Sequence, residues 1–456
     1  MSDMWSTFVS KFYALLFSVV LFFTSLSVAI PGFCTCAKLD YRFDNDVPGS
    51  AAGTVTVTAT VPGTYDLYWG ADEETRLTAT IGDEEVPYTG FAEAEVCSGT
   101  GSTDIYEFIA IPEGAETVLA YRGALLVGST QIPEEKQAPD ETPLFTFGAL
   151  SDVHFNRYNL SLTGDDACLA FPNALDTLQK AGVSLVGLSG DISTKGETDS
   201  FEKYGNIIGN YDFPILTCTG NHDVGYDTPW FTDWQAYVNP ALYGGDPQVS
   251  DIAGNGLDFV YTPAGVTTDV FVFLSQIDWD YNRPESRILD DAQLDWLETV
   301  LEKYKDRSVY LFFHTFLADD EGNIKTGEGN MVNSADEYYD LVYTVGTPDE
   351  VRFRSLLQQY KNVVFFNGHS HWVFESFAFN PRVNITDYNG TYCTLVHIPS
   401  VSSPRSTREN QNGVNELFMR SSQGYLVNVY ADRIELRGLE FWGTRFVSCA
   451  CFNIAK

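Results

Sequence analysis

Basic residues are scarce in this chain: Lys and Arg together number 27 against 62 Asp and Glu, a formal charge of −35. Such a field repels polyanions over roughly 10 Å at about 0.1 M salt, and no Lys/Arg cluster offers a local exception. Nucleic acid is therefore not expected as a partner. Cysteine is present eight times but builds no framework, because Cys34/Cys36 and Cys449/Cys451 are Cys-x-Cys pairs and the other four are scattered. No set has zinc-finger spacing, which argues against cysteine ligation of a metal, and Cys218 in its apolar run reads as a buried thiol. Internal repeats and low-complexity tracts are missing too. What the chain has in quantity is apolar material, 44% hydrophobic and 14% aromatic residues over 456 positions, enough for more than one core.

The grammar changes along the chain. Residues 12–30 carry no charge and are followed by Pro31-Gly32, so residues 1–37 read as a signal peptide or a membrane anchor rather than a core helix. Ser27-Val28-Ala29 and Thr35-Cys36-Ala37 both fit a small-x-small cleavage site. In either case the body is expected outside the cytoplasm, secreted or anchored, with the membrane touched only through this segment. Residues 38–132 alternate Val, Thr and Tyr with polar residues between Pro-Gly, Gly-Asp and Glu-Gly turns, which predicts a small all-β sandwich of the immunoglobulin or fibronectin type. Residues 133–143, charged and proline-containing, read as a linker.

From 144 to 456 the pattern is α/β. Apolar runs at 144–150, 183–188, 213–218, 270–274, 308–313 and 362–366 predict strands separated by helical stretches at 174–182, 290–304 and 350–360. In the second of these Leu294, Leu297, Val300 and Leu301 line one face behind Asp290-Asp291, which can cap its start. Beyond residue 390 strands return, and with no linker before them they are expected to complete the same sheet.

Histidine, only six residues in all, is concentrated where the apolar runs end. Asp152 and His154 follow the first run, Asp191 the second, and Asn221, His222 and Asp223 the third. His314 follows the fifth, and His369 and His371 the sixth. In an open α/β sheet the carboxyl ends of parallel strands share one crevice, so these distant positions can converge. Strand alternation suggests that Asp152 and His154 face one centre, as can His369 and His371. Gly190, Gly220 and Gly368 stand before ligand candidates, where the missing Cβ permits a sharp turn. The mixed imidazole, carboxylate and amide donor set suits Zn, Mn or Fe, and one carboxylate can bridge two ions. His397, by contrast, reads as a structural strand residue.

The order D-x-H, G-D, G-N-H-D, H, G-H-x-H resembles that of the calcineurin-like metallophosphoesterases, from about residue 144 to 400. The resemblance implies a four-layer αββα sandwich and a dinuclear metal site. It also implies that Asp152, His154 and His371 hold one ion, that Asn221, His314 and His369 hold the other, and that Asp191 bridges. His222 would stand beside the substrate phosphate as general acid, oriented by Asp223. Two cations about 4 Å apart would turn a bridging water into hydroxide near neutral pH and offset charge on the phosphoryl oxygens. Thr194 stands where purple acid phosphatases carry a tyrosine, so no tyrosinate-to-iron colour is expected. His314 is followed by Thr315-Phe316, where many relatives have a proline two residues on.

The expected activity is hydrolysis of a small phosphate ester, with monoesters and diesters both admitted. Arg157, Tyr226 and Arg283 on predicted loops are candidate substrate contacts. The rival expectation is a cell-surface binding or adhesion protein on a non-catalytic phosphoesterase scaffold, for which lost ligands would be the signature.

Overall fold

The computed structural model describes residues 37–97, 99–105, 109–156, 167–224, 229–277, 288–317, 347–375, 385–386, 393–410, 413–418 and 421–456. The apolar segment at 12–30 lies outside them, as do Arg157, Tyr226 and Arg283. Among the described residues no helix is long and apolar enough to cross a membrane, a statement that leaves β-barrels aside.

The N-terminal region consists of antiparallel strands. These are β1 (Ala37–Phe43), β2 (Gly53–Ala59), β3 (Gly63–Gly70), β4 (Thr78–Ile81), β5 (Glu84–Pro87), β6 (Ala92–Val96), β7 (Thr100–Ile105), β8 (Thr117–Arg122) and β9 (Leu125–Gln131). They form sheets ordered β1-β2-β7 and β6-β3-β8-β9 and a β4-β5 hairpin, consistent with a small β domain. The alternation that predicted them is real: Val55 and Val57 on β2 and Tyr65 and Leu67 on β3 are buried while their neighbours are not. Residues 133–143 are mostly exposed but anchored at two points. A short 3-10 turn at Glu134–Lys136 buries Lys136, whose ammonium reaches Asn45 O and Asp46, and Glu141 pairs with Arg433.

The remaining chain builds two sheets. The first runs β12 (Ile215–Thr217), β11 (Leu185–Leu188), β10 (Phe145–Leu150), β22 (Gln423–Val429), β23 (Arg433–Glu440), β24 (Arg445–Ala455), so the late strands do extend the early parallel ones. The second runs β13 (Val249–Ser250), β14 (Phe259–Tyr261), β15 (Asp269–Phe273), β16 (Ser308–Phe312), β17 (Val363–Asn367), β19 (Thr394–His397), β18 (Ile385–Thr386). Here β15, β16, β17 and β19 are parallel, and β20 (Arg405–Asn410) and β21 (Gly413–Phe418) form a separate two-stranded sheet.

Why these runs are apolar throughout follows from where their alternate residues go. On β16, Tyr310 and Phe312 join the core between the sheets, and Val309 and Leu311 join a second core with the outer helices. Strands β15 and β17 divide in the same way, as a sheet covered on both faces requires. Phe147 of the first sheet meets Phe271, Tyr310 and Phe366 of the second at centroid distances of 5.0, 5.1 and 5.9 Å. Outside the first sheet lie α1 (Ala167–Lys180) and α2 (Thr198–Ile208), where Phe171 stacks on Tyr204. A short α3 (Trp230–Tyr237) and a single turn α4 (Pro240–Tyr243) follow. Outside the second sheet lie α5 (Asp291–Lys303) and α6 (Pro348–Gln359), whose Leu294, Leu297, Phe353 and Leu357 fill the second core. The layering is helix, sheet, sheet, helix.

Candidate metal centre

Five parallel strands, β10, β11, β12, β16 and β17, end at one edge of the two sheets, and the loops just past them carry every ligand candidate. Gly190 (φ +85°) makes the turn into Asp191. Gly368 serves a different purpose: a Cβ there would collide with Ser151 Oγ and Asp152 Oδ2, so its absence lets the loop after β17 lie against the loop after β10.

The side chains converge as two groups, Asp152, His154, Asp191 and His371, and Asp191, His314 and His369, each with donor atoms within 4.8 Å of one another. All of them are buried, as is Asn221, whose Oδ1 lies 3.0 Å from His314 Nε2. Asp191 belongs to both groups through a single oxygen. Its Oδ2 is 3.3 Å from His154 Nε2 and 3.1 Å from His314 Nε2, while its Oδ1 accepts from the His222 N–H at 2.9 Å. Asp152 divides its oxygens likewise, Oδ2 accepting from the His369 N–H at 3.0 Å and Oδ1 facing His371 Nε2 at 3.1 Å.

Strand alternation is not what aims these side chains, and here the structure corrects the sequence reading. Asp152, His154, Asp191, His369 and His371 have φ between 51° and 71°, five of the nine non-glycine residues at positive φ among the described residues. Each sits beyond its strand in the left-handed region, at about 1–3 kcal/mol apiece. His369 and His371 fall in the two different groups, which meet at Asp191, while Asp152 and His154 fall in one.

Backbone carbonyls fix the imidazoles. His314 Nδ1 lies 2.6 Å from Ser189 O, and His371 Nδ1 lies 2.7 Å from Ser403 O. A carbonyl can only accept, so Nδ1 carries the hydrogen and Nε2 turns its lone pair to the centre. Oxygen and nitrogen lone pairs then face one another. Asp152 Oδ1 and Asp191 Oδ2 accept no hydrogen bond among the described residues, and the nitrogen pairs His154 Nε2–His371 Nε2 and His369 Nδ1–His314 Nε2 approach to 3.0 and 2.9 Å. Such an array needs positive charge at its middle. Burial alone would raise both carboxyls, yet the imidazoles hold Asp152 and Asp191 well below the ordinary carboxylate range. Burial would lower His314, but Asp191 pushes it up to about 9, whereas burial and the neighbouring His314 push His369 down. Once a cation displaces the proton that Asp191 holds on His314, the carboxylates, imidazole nitrogens and amide oxygen are a fitting donor set for two Zn, Mn or Fe ions.

His222 is half-buried beside this array, its ring 4.8 Å from that of His154. Its Nδ1 is 2.7 Å from Thr194 O, and this carbonyl, not Asp223, orients it. Asp223 is fully buried and accepts instead from the N–H groups of Ser193 (2.8 Å) and Gly220 (3.0 Å) and from Ser193 Oγ (3.0 Å). The expectation that Asp223 orients His222 is therefore corrected: it braces the loop after β12 against the loop after β11. Burial and the charge of Asp191 push its carboxyl up to about 7. His397 lies outside both groups, in β19, with Nε2 2.8 Å from Ser370 Oγ. The carbonyls of Ser189, Thr194 and Ser403 escape sequence reasoning because a backbone acceptor has no residue-type signature.

The family model described as Calcineurin-like phosphoesterase matches residues 145–373. A comparison with curated proteins finds no match. Among solved structures, a dimetal phosphatase from Danio rerio is similar at 16% identity and a TM-score of 0.45, covering 69% of this chain and 99% of its own. Purple acid phosphatase PPD1 from yellow lupin seeds gives 11% and 0.44, covering 92% and 74%. A structure of PhoD gives 13% and 0.41, covering 93% and 90%.

Proposed function

The chain belongs to the calcineurin-like phosphoesterase family, and from that premise we propose that it is an exported hydrolase of small phosphate mono- or diesters working with two metal ions. The observation that carries the proposal is the shared Asp191 Oδ2, a buried carboxylate oxygen that accepts no hydrogen bond among the described residues and lies between His154 and His314. In this reading Asp152, His154 and His371 hold one ion, Asn221, His314 and His369 hold the second, and Asp191 belongs to both. Bound there, the ions supply Lewis acidity toward water and the phosphoryl oxygens.

The chain's own groups do the rest. His222, with its Nδ1–H donated to Thr194 O, keeps Nε2 as the atom that delivers a proton to the departing ester oxygen. Burial of the ligand atoms lowers the local dielectric and strengthens every charge interaction among them. Export is supported by the uncharged segment at 12–30, and a small substrate rather than a polyanion by the charge of −35.

Hydrolysis of p-nitrophenyl phosphate and bis-p-nitrophenyl phosphate by wild type and Asp191→Asn, with Mn, Zn or Fe supplied singly, tests the reading. Wild type should turn over at least one ester, with the preferred one naming the subclass, and Asp191→Asn should fall to background while remaining folded. Full metal-dependent turnover by Asp191→Asn would refute the assignment.

A further inference from the structure

We infer that Ser400 is a positioning residue for one half of the metal centre. The inference rests on the reading that Asp152, His154 and His371 hold one ion and Asn221, His314 and His369 the other. Ser400 follows β19 in the stretch at residues 400–403 and is completely buried.

Its hydroxyl is a hub. It donates to Asp152 O at 2.8 Å and accepts from the Ser403 N–H at 2.8 Å and the Ser402 N–H at 3.3 Å. Ser402 Oγ donates in turn to Val153 O, and the Val401 N–H to Ser151 O at 3.0 Å. The same stretch supplies Ser403 O, which accepts from His371 Nδ1. One loop thus grips consecutive carbonyls of the turn bearing Asp152 and His154 while fixing the ring of His371. Those three residues are strained, at φ 55°, 51° and 63°, and relaxation of any one would swing its donor atom off the centre. Among the described residues the hydrogen bonds of the Ser400 hydroxyl reach none of the ligands of the other half, where Ser189 O orients His314 and Thr315 Oγ1 anchors to Gln276 Oε1 at 3.0 Å. The other half is reached one step further on, through the His369 N–H that Asp152 Oδ2 accepts, so Ser400 acts mainly on one ion.

Calorimetric titration of the chelated full chain with Zn²⁺ or Mn²⁺ alone tests this, using wild type, Ser400→Ala and Ser402→Ala. Wild type should bind two ions, and its failure to do so would overturn the two-ion reading itself. Ser400→Ala should bind one ion about 10–100-fold more weakly, the usual effect of losing a group that orients ligands, and the other with a clearly smaller loss. Ser402→Ala, which loses the bond to Val153 O, should weaken the same ion less. Should Ser400→Ala fail to fold, Ser402→Ala carries the test alone. Equal weakening of both ions, or two unchanged affinities in a folded variant, would overturn the inference.

Discussion

His222 and Asp223 are adjacent in sequence and separate in role. The ring of His222 is held by Thr194 O and stands half-exposed at the edge of the centre, whereas Asp223 lies beneath it tying two loops together. Their substitutions should differ in kind. His222→Asn should cost about 10²–10⁴-fold in turnover for esters with alkoxide leaving groups, which need a proton, and much less for p-nitrophenolate, which does not. Asp223→Asn should lower thermal stability and metal affinity with no dependence on leaving group. Rates measured over a series of leaving-group pKa values separate the two, and a flat series for His222→Asn would contradict the acid role.

At the scale of the element, the structure bears out what pattern alone could carry. The face Leu294, Leu297, Val300, Leu301 is buried in α5, and Asp290 caps it in a capping box with Gln293. Asp290→Ala should cost about 1 kcal/mol in a denaturant titration, the value of a lost N-cap, and an unchanged midpoint would contradict that contribution. The same logic made the ligand residues legible, since doubly buried parallel strands are continuous apolar runs and ligands gather past their ends. Local conformation was not legible. Asp and His tolerate a left-handed backbone better than most residues, but that tolerance does not say which of them adopt it; the turn at 151–153 is held by residues 400–403, distant in sequence. Alternation consequently brought Asp152 and His154 together for the wrong reason and misjudged His369 and His371.

The whole molecule is tied by contacts between the N-terminal strands and β24. The Thr89 and Ala110 N–H groups donate to Phe446 O and Cys451 O at 2.9 Å each, Ser448 Oγ donates to Thr89 O, and Tyr88 stacks on Phe446 at 4.8 Å. One apolar cluster runs without a break from Val55 through Tyr88 and Phe446 to Phe147. Scanning calorimetry of the metal-loaded chain should accordingly show one cooperative transition, and two well-separated ones would contradict the shared core. Removing metal should lower that transition, since ions that bind only the folded state stabilise it by mass action. The most direct test of the account is to chelate the chain and follow bis-p-nitrophenyl phosphate and p-nitrophenyl phosphate hydrolysis while counting the ions bound per chain as Mn, Zn or Fe is returned. The account predicts that turnover disappears on chelation and returns in full only as occupancy reaches two. Turnover that survives complete chelation, or a folded chain that binds no metal and cleaves neither ester, would contradict it.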